Sequence, residues 1–144
     1  MTWRAQIATD PIDLTALMAE VGGPSHGAVS TFVGQVRDHD PEASGEVVSL
    51  DYSAHPDAGR VIGDVVSAAV AAGDPDGQAQ VVAVHRVGHL EVGDLALVVL
   101  VASAHRDLAI TLCRDVVEAV KHGVPIWKKQ HEVDGSHQWS GLSC

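Results

Sequence analysis

Aromatic side chains are almost missing from this 144-residue sequence, with Trp3, Phe32, Tyr52, Trp127 and Trp139 making up only 3% of it. The core must therefore be aliphatic, drawn from the Val, Leu, Ile and Ala that dominate the 46% hydrophobic content. Cysteine is nearly as rare. Cys113 falls inside an apolar helical pattern and Cys144 is the last residue, so the two provide no disulfide framework. The longest apolar run, Leu95 to Ala102, has eight residues, well short of the ~18 needed to read a membrane-spanning helix. The opening Met1-Thr-Trp-Arg-Ala lacks the basic-then-apolar order of a secretory leader, so a soluble, cytoplasmic protein is expected. Bases are scarce as well. Nine Lys and Arg face nineteen Asp and Glu, for a net charge of −10, which disfavours non-specific binding of nucleic acid and anionic membranes. There is no Cys-x-x-Cys, no His-Glu-x-x-His and no glycine-rich phosphate loop. His85 and His89 are four apart but lie in a strand-to-turn segment rather than on a helix, His131 and His137 flank a turn, and no metal site or cofactor is expected.

What is present reads as one domain over residues 1–144, of a length that buries a core without staples. Asp10-Pro11-Ile12-Asp13 looks like a helix start with Asp10 as cap, and Gly22-Gly23-Pro24 ends that helix. Gly27 to Val36 and Val47 to Tyr52 read as strands around a polar, turn-rich segment from Arg37 to Glu46. After Pro56, the apolar positions Val61, Ile62, Val65, Val66, Ala69 and Val70 predict a second helix, closed at Gly73 to Gly77. Val81 to Val87 and Leu95 to Ser103 predict two strands joined by a turn at Glu91 to Asp94. A third helix is expected from about Ala104, capped by Ser103, with Gly123 as a left-handed C-cap before Pro125. Trp127 to Trp139 has some strand character. Neighbouring strands joined by short turns imply an α+β fold with a mainly antiparallel sheet and three principal helices.

Three features could carry chemistry. All three lysines, Lys121, Lys128 and Lys129, fall within nine positions, either as ordinary cations complementing a helix C-terminus or as a functional group on the loop beyond it. Arg37 stands where an apolar strand meets a polar loop, as a solvated side chain or as a planar fork for an anion. His105 and Arg106 sit at the start of the third helix. Cations there oppose the helix dipole, whereas an anion held between them and the backbone N–H groups would not.

The run Gly27-Ala-Val-Ser-Thr-Phe-Val-Gly-Gln-Val-Arg37-Asp-His-Asp resembles the strand and loop of the molybdopterin synthase large (catalytic) subunit family. So do Leu50-Asp-Tyr-Ser-Ala-His, Ala83-Val-His-Arg-Val-Gly-His-Leu90, Val101-Ala-Ser-Ala-His-Arg106 and Val120-Lys-His-Gly-Val-Pro-Ile-Trp-Lys-Lys-Gln130, all in the family's order. The match departs at Ser53 to Ala58, and Gln130 stands where family members commonly carry Glu. The resemblance implies an α/β hammerhead-like fold and a homodimer at the centre of a heterotetramer. Each large subunit would receive the C-terminal tail of a small ubiquitin-like sulfur carrier, which ends in a Gly-Gly thiocarboxylate. It implies conversion of cyclic pyranopterin monophosphate into molybdopterin, in molybdenum cofactor biosynthesis. By the same resemblance Arg37 holds the substrate and Gln35 and Val36 line its approach. His105 and Arg106 bind its anionic part, Lys121 and Lys128 act at the reacting centre, and Lys129 and Gln130 flank it.

The chemistry of those residue types agrees. A pterin phosphate needs cationic hydrogen-bond donors, and thiocarboxylate transfer needs a positioned acid/base with positive charge over developing oxyanions. The sulfur arrives on the partner, so no cysteine nucleophile is required and Cys113 is read as core. The alternative is a non-catalytic homologue that binds the small sulfur carrier without turnover. Helix geometry adds one expectation. His105 and Lys121 are 16 residues apart, or roughly 24 Å along a helix, so a shared substrate is reached more easily from two copies than from one.

Overall fold

The computed structural model describes residues 3–40, 43 and 45–141. In chain order the elements are β1 (Trp3–Ala8), α1 (Leu14–Glu20), β2 (Ala28–Gln35), β3 (Val47–Ala54), α2 (Ala58–Gly73) and β4 (Gln80–Arg86). Then come β5 (Gly88–Glu91), β6 (Leu95–Ser103), α3 (Arg106–Gly123), β7 (Ile126–Glu132) and β8 (His137–Gly141). The class is α+β with three helices, as expected, but the strands form two four-stranded sheets rather than one. One runs β1-β4-β6-β2 and the other β5-β3-β7-β8. Every pairing is antiparallel except β1 with β4.

The first sheet is covered on both faces, which is why β4 and β6 read as continuous apolar runs instead of alternating. Helices α2 and α3 pack on one face through Ile62, Val66, Leu112, Val116 and Val120, against Val81, Ala83, Val99 and Val101. The shorter α1 covers the other face, setting Leu17 with Val82, Val84, Val98 and Leu100. The second sheet has its own small core of Leu50 and Leu90, which meets Val36 and Ala96 from the first. The seam between the sheets lies there, and it positions the site.

Several local expectations are corrected. Trp3–Ala8 form β1, whose Trp3, Ala5 and Ile7 alternate onto the core, a period-two signal too short to stand out alone. The cap of α1 is Asp13, not Asp10, with its Oδ1 accepting from the Ala16 N–H at 3.0 Å. The segment before the Glu91 to Asp94 turn is a separate strand, β5, which leaves the first sheet to pair with β3. The tail from Trp127 forms part of two full strands, because β7 pairs with β3 and β8 with β7. Helix α3 begins at Arg106 with His105 as N-cap, and Ser103 Oγ donates to the His105 carbonyl at 2.6 Å instead of capping an N–H. Gly123 is the last helical residue and does not take positive φ. A side chain there would place Cβ 2.8 Å from Val65 of α2, so glycine is required by helix packing and not by a left-handed turn. Cys113 is buried, donates Sγ–H to the Val99 carbonyl, and has its thiol pushed up by burial. Cys144 lies outside the described residues. No described helix is long and apolar enough to cross a membrane.

Candidate functional site

A cavity of about 250 Å³ opens at the seam. Its walls come from four separate stretches of chain. The end of β2 and the residues after it supply Gln35, Val36, Arg37, His39 and Asp40; β3 supplies Leu50 and Tyr52. The last turn of α3 supplies Lys121, and β7 supplies Lys128 and Gln130. A break in the β2–β6 register between Gly34 and Gln35 turns the strand out of the sheet just where it enters the cavity wall. The period of two along β7 sends Lys128 and Gln130 inward. It places Lys129 on the opposite face, with its ammonium 5.6 Å from the Trp139 ring.

The sequence therefore anticipated Gln35, Val36, Arg37, Lys121, Lys128 and Gln130 in one place, and the structure brings those six together. Lys129 does not line the cavity. Neither do His105 and Arg106, which lie at the far end of α3, where His105 faces a different hollow with His26, Gln78 and Leu108. Residues 53–58, where the family match departs, are also absent from the cavity wall.

Three cations, Arg37, Lys121 and Lys128, and the carboxylate Asp40 line the cavity, which makes it basic within an acidic protein. Lys128 Nζ donates to Asp40 Oδ2 at 2.8 Å, with both side chains nearly withdrawn from solvent. Arg37 Nη2 stands 3.9 Å from the same oxygen but keeps 59% of its side chain exposed, so its guanidinium remains available to a ligand. Asp40 lay within a quoted motif but drew no role from the sequence, because its burial depends on β7 crossing beneath the loop. His39 and Tyr52 also line the cavity and were not singled out from the sequence.

Beneath Tyr52 lies His85 of β4, only 2% exposed, with its ring edge-on to the tyrosine at 5.0 Å and 87°. Its Nδ1–H donates to the Arg86 carbonyl at 2.7 Å. Burial is the main cause holding its pKa down at about 4, and the nearby Lys121 charge lowers it further, against the raising effect of the Arg86 carbonyl. His85 is thus neutral when folded at pH 7 and titrates near pH 6.5 once unfolded. The unfolded chain then binds the extra proton between those values, so stability is full above pH 6.5 and falls as pH drops toward 4. For this one group the loss is about 3 kcal/mol. Urea unfolding at pH 7 and pH 4 should show it as a steeper pH dependence in the native protein than in a His85→Phe variant. Equal slopes would contradict the buried neutral imidazole.

Elsewhere on the second sheet, Asp51 bridges His89 at 2.9 Å and His131 at 2.7 Å. These hydrogen bonds hold the Asp51 carboxyl below its ordinary range, and Asp51 and Glu91 together raise His89. Among the described residues no group of three or more His, Cys, Asp or Glu is arranged to hold a metal ion.

Residues 7–123 match the model of the MoaE protein family. Molybdopterin synthase catalytic subunit 1 of Mycobacterium tuberculosis is 35% identical over 136 residues, spanning 94% of this chain and 89% of that one. The molybdopterin synthase catalytic subunit of a Nostoc species is 36% identical over 140 residues, spanning 93% and 79%. The crystal structure of molybdopterin synthase from Staphylococcus aureus has a TM-score of 0.82 at 28% identity, covering 94% of this chain and 96% of its own. A family match over most of the chain, with relatives above 30% identity along nearly all of it, shows that the chain belongs to the MoaE family, the catalytic subunits of molybdopterin synthase.

Proposed function

We propose that this chain converts cyclic pyranopterin monophosphate into molybdopterin as a single catalytic domain. The sulfur for the dithiolene comes from C-terminal thiocarboxylates on a small ubiquitin-like partner ending in Gly-Gly, in the cytoplasm. The observation that carries this reading is the gathering of Arg37, Lys121 and Lys128 around one cavity in a chain of net charge −10. An anionic substrate and an anionic sulfur donor both need such a place, and the surrounding acidic surface concentrates that preference at the cavity.

Within it, Arg37 binds the substrate's anionic group through its exposed fork. Lys128, held by Asp40, sets a fixed positive charge over oxyanions that develop as the partner's carboxylate leaves. Lys121, anchored on the rigid last turn of α3, transfers protons. Gln130, Leu50 and Tyr52 shape the walls. His105 and Arg106 are too far along α3 to serve the same cavity in one chain. In a two-fold homodimer, the start of α3 from one protomer approaches the end of α3 from the other and completes two equivalent sites. Two small subunits, one at each site, make the heterotetramer.

The departures at Ser53 to Ala58 lie off the cavity wall, which favours an active enzyme over a homologue that only binds the carrier. The decisive experiment supplies thiocarboxylated small subunit and cyclic pyranopterin monophosphate and follows molybdopterin formation. Partner binding without product would establish the non-catalytic alternative. Arg37 offers a finer check. Arg37→Ala should weaken pyranopterin binding by about 1.5–3 kcal/mol, as expected for a hydrogen bond to a charged group. Titration calorimetry should find small-subunit affinity unchanged. Loss of partner affinity with substrate affinity intact would reverse the assignment.

A further inference from the structure

Arg37 offers its fork to a ligand from a largely exposed side chain, so the backbone that carries it must set its position. We propose that Arg86 is the positioning residue for that backbone: from the end of β4 it clamps the Glu91–Asp94 turn, and the turn fixes Val36, one residue before Arg37. The proposal rests on the reading of Arg37 as the ligand for the substrate's anionic group.

The contacts form an unbroken series. Pairing of β4 with β6 ends where His85 stands opposite Leu97, so no strand ladder ties the Glu91–Asp94 turn to β4. The Arg86 side chain takes over from there. Its Nη1 stands 3.5 Å from Asp94 Oδ2, and its Nη2 donates to the His89 carbonyl at 3.3 Å. The side chain is only 14% exposed, and among the described residues its buried Nε has no hydrogen-bond partner. The guanidinium's polar contacts therefore all go to β5 and the turn after it. The same Asp94 oxygen accepts from the Glu91 N–H at 2.9 Å, and the Asp94 N–H donates to the Glu91 carbonyl at 3.0 Å, which closes the turn. The turn then holds Val36 through both of its backbone groups. The Val36 N–H donates to the Asp94 carbonyl at 3.0 Å, and the Val36 carbonyl accepts from the Gly93 N–H at 2.8 Å. These bonds come directly after the register break between Gly34 and Gln35, where the chain would otherwise be free to swing. A planar fork that spans a carboxylate and a carbonyl is supplied by arginine and by no apolar side chain of similar length. Without it the turn loosens, Val36 follows, and the Arg37 guanidinium loses the fixed placement that binding needs.

The test has two arms. In the intact protein, Arg86→Met should speed amide hydrogen exchange at Val36 and Gly93 about tenfold or more, while the amides at the centre of β6 keep native protection. In single-turnover assays of the assembled synthase, Arg86→Met should raise the half-saturating pyranopterin concentration about tenfold, with the limiting rate and the small-subunit affinity little changed. A general loss of structure would not spare the limiting rate. The same substitution on an Arg37→Ala background should add less than about twofold, because Arg86 acts through Arg37. Native exchange at Val36 and Gly93 would overturn the proposal. So would an unchanged half-saturating concentration, or a penalty that persists in full without Arg37. If Arg86→Met fails to fold, Asp94→Asn, which removes the carboxylate from the more exposed end of the clamp, decides by the same readouts. An Arg37→Ala synthase with native half-saturation would overturn the functional reading of Arg37 instead, and the exchange arm would then judge the clamp by itself.

Discussion

Lys121→Ala is expected to lower molybdopterin formation about 100-fold or more, the lower range for removing a general acid/base, while leaving the fold untouched. The side chain leaves the last turn of α3 toward the cavity, away from the Leu112, Val116 and Val120 face that packs on the sheet. Alanine favours the helix at least as well as lysine does, so nothing in the backbone is disturbed. The loss should therefore appear in single-turnover rate with saturating partner, with the melting temperature and the small-subunit affinity of the native protein. A near-native rate under those conditions would remove Lys121 from the chemistry and leave it as one of the ordinary cations that complement a helix C-terminus.

Lys128→Ala should behave differently, losing stability as well as activity. Its ammonium is the nearest cation to Asp40, at 2.8 Å, and the Asp40 side chain is only 5% exposed. Breaking a buried pair by removing one partner commonly costs 3–5 kcal/mol, because the remaining charge is left in a poor solvent. Arg37, at 3.9 Å, offsets part of this, which places the expected cost near the lower end, at about 3 kcal/mol. The double variant Lys128→Ala with Asp40→Asn removes the orphaned charge and should regain most of the stability but none of the turnover. Urea unfolding of the two single variants and the double measures the coupling directly. Equal destabilisation in Lys128→Ala and the double variant would show that Asp40 is not the partner that matters.

The two lysines thus differ in a way that only the structure reveals. In the sequence they share a short basic stretch, and the motif around them assigns both to one centre. The helices and central strands were legible because α2 and α3 each bury one long, regular face and β4 and β6 bury both of theirs, as continuous apolar runs. The division into two sheets was not, because it depends on which strands pair at a distance: β5 and β7 both find β3, and no local signal says so. Asp40 and His85 were hidden by the same non-local pairing. One looked like part of a polar loop, the other like a strand histidine four residues from a second. Yet His89, its apparent companion, faces solvent and pairs with Asp51 on another sheet. Lys129 was grouped with its neighbour by sequence and separated from it by the pleat of β7.

His105 and Arg106 pose the sharpest question, since the same motifs that single out the cavity residues single them out too, and the fold puts them at the other end of α3. The proposed two-chain arrangement would resolve this, each chain contributing one half of two sites. Subunit complementation measures it: Arg106→Ala and Lys121→Ala homodimers, each inactive, are mixed and allowed to exchange until mixed dimers form. A mixed dimer carries one site with both lesions and one with neither. With random exchange half of the dimers are mixed, so molybdopterin formation should return to about a quarter of the wild-type level. No recovery after exchange has been verified would contradict the two-chain site and require every one of these residues to act within a single chain.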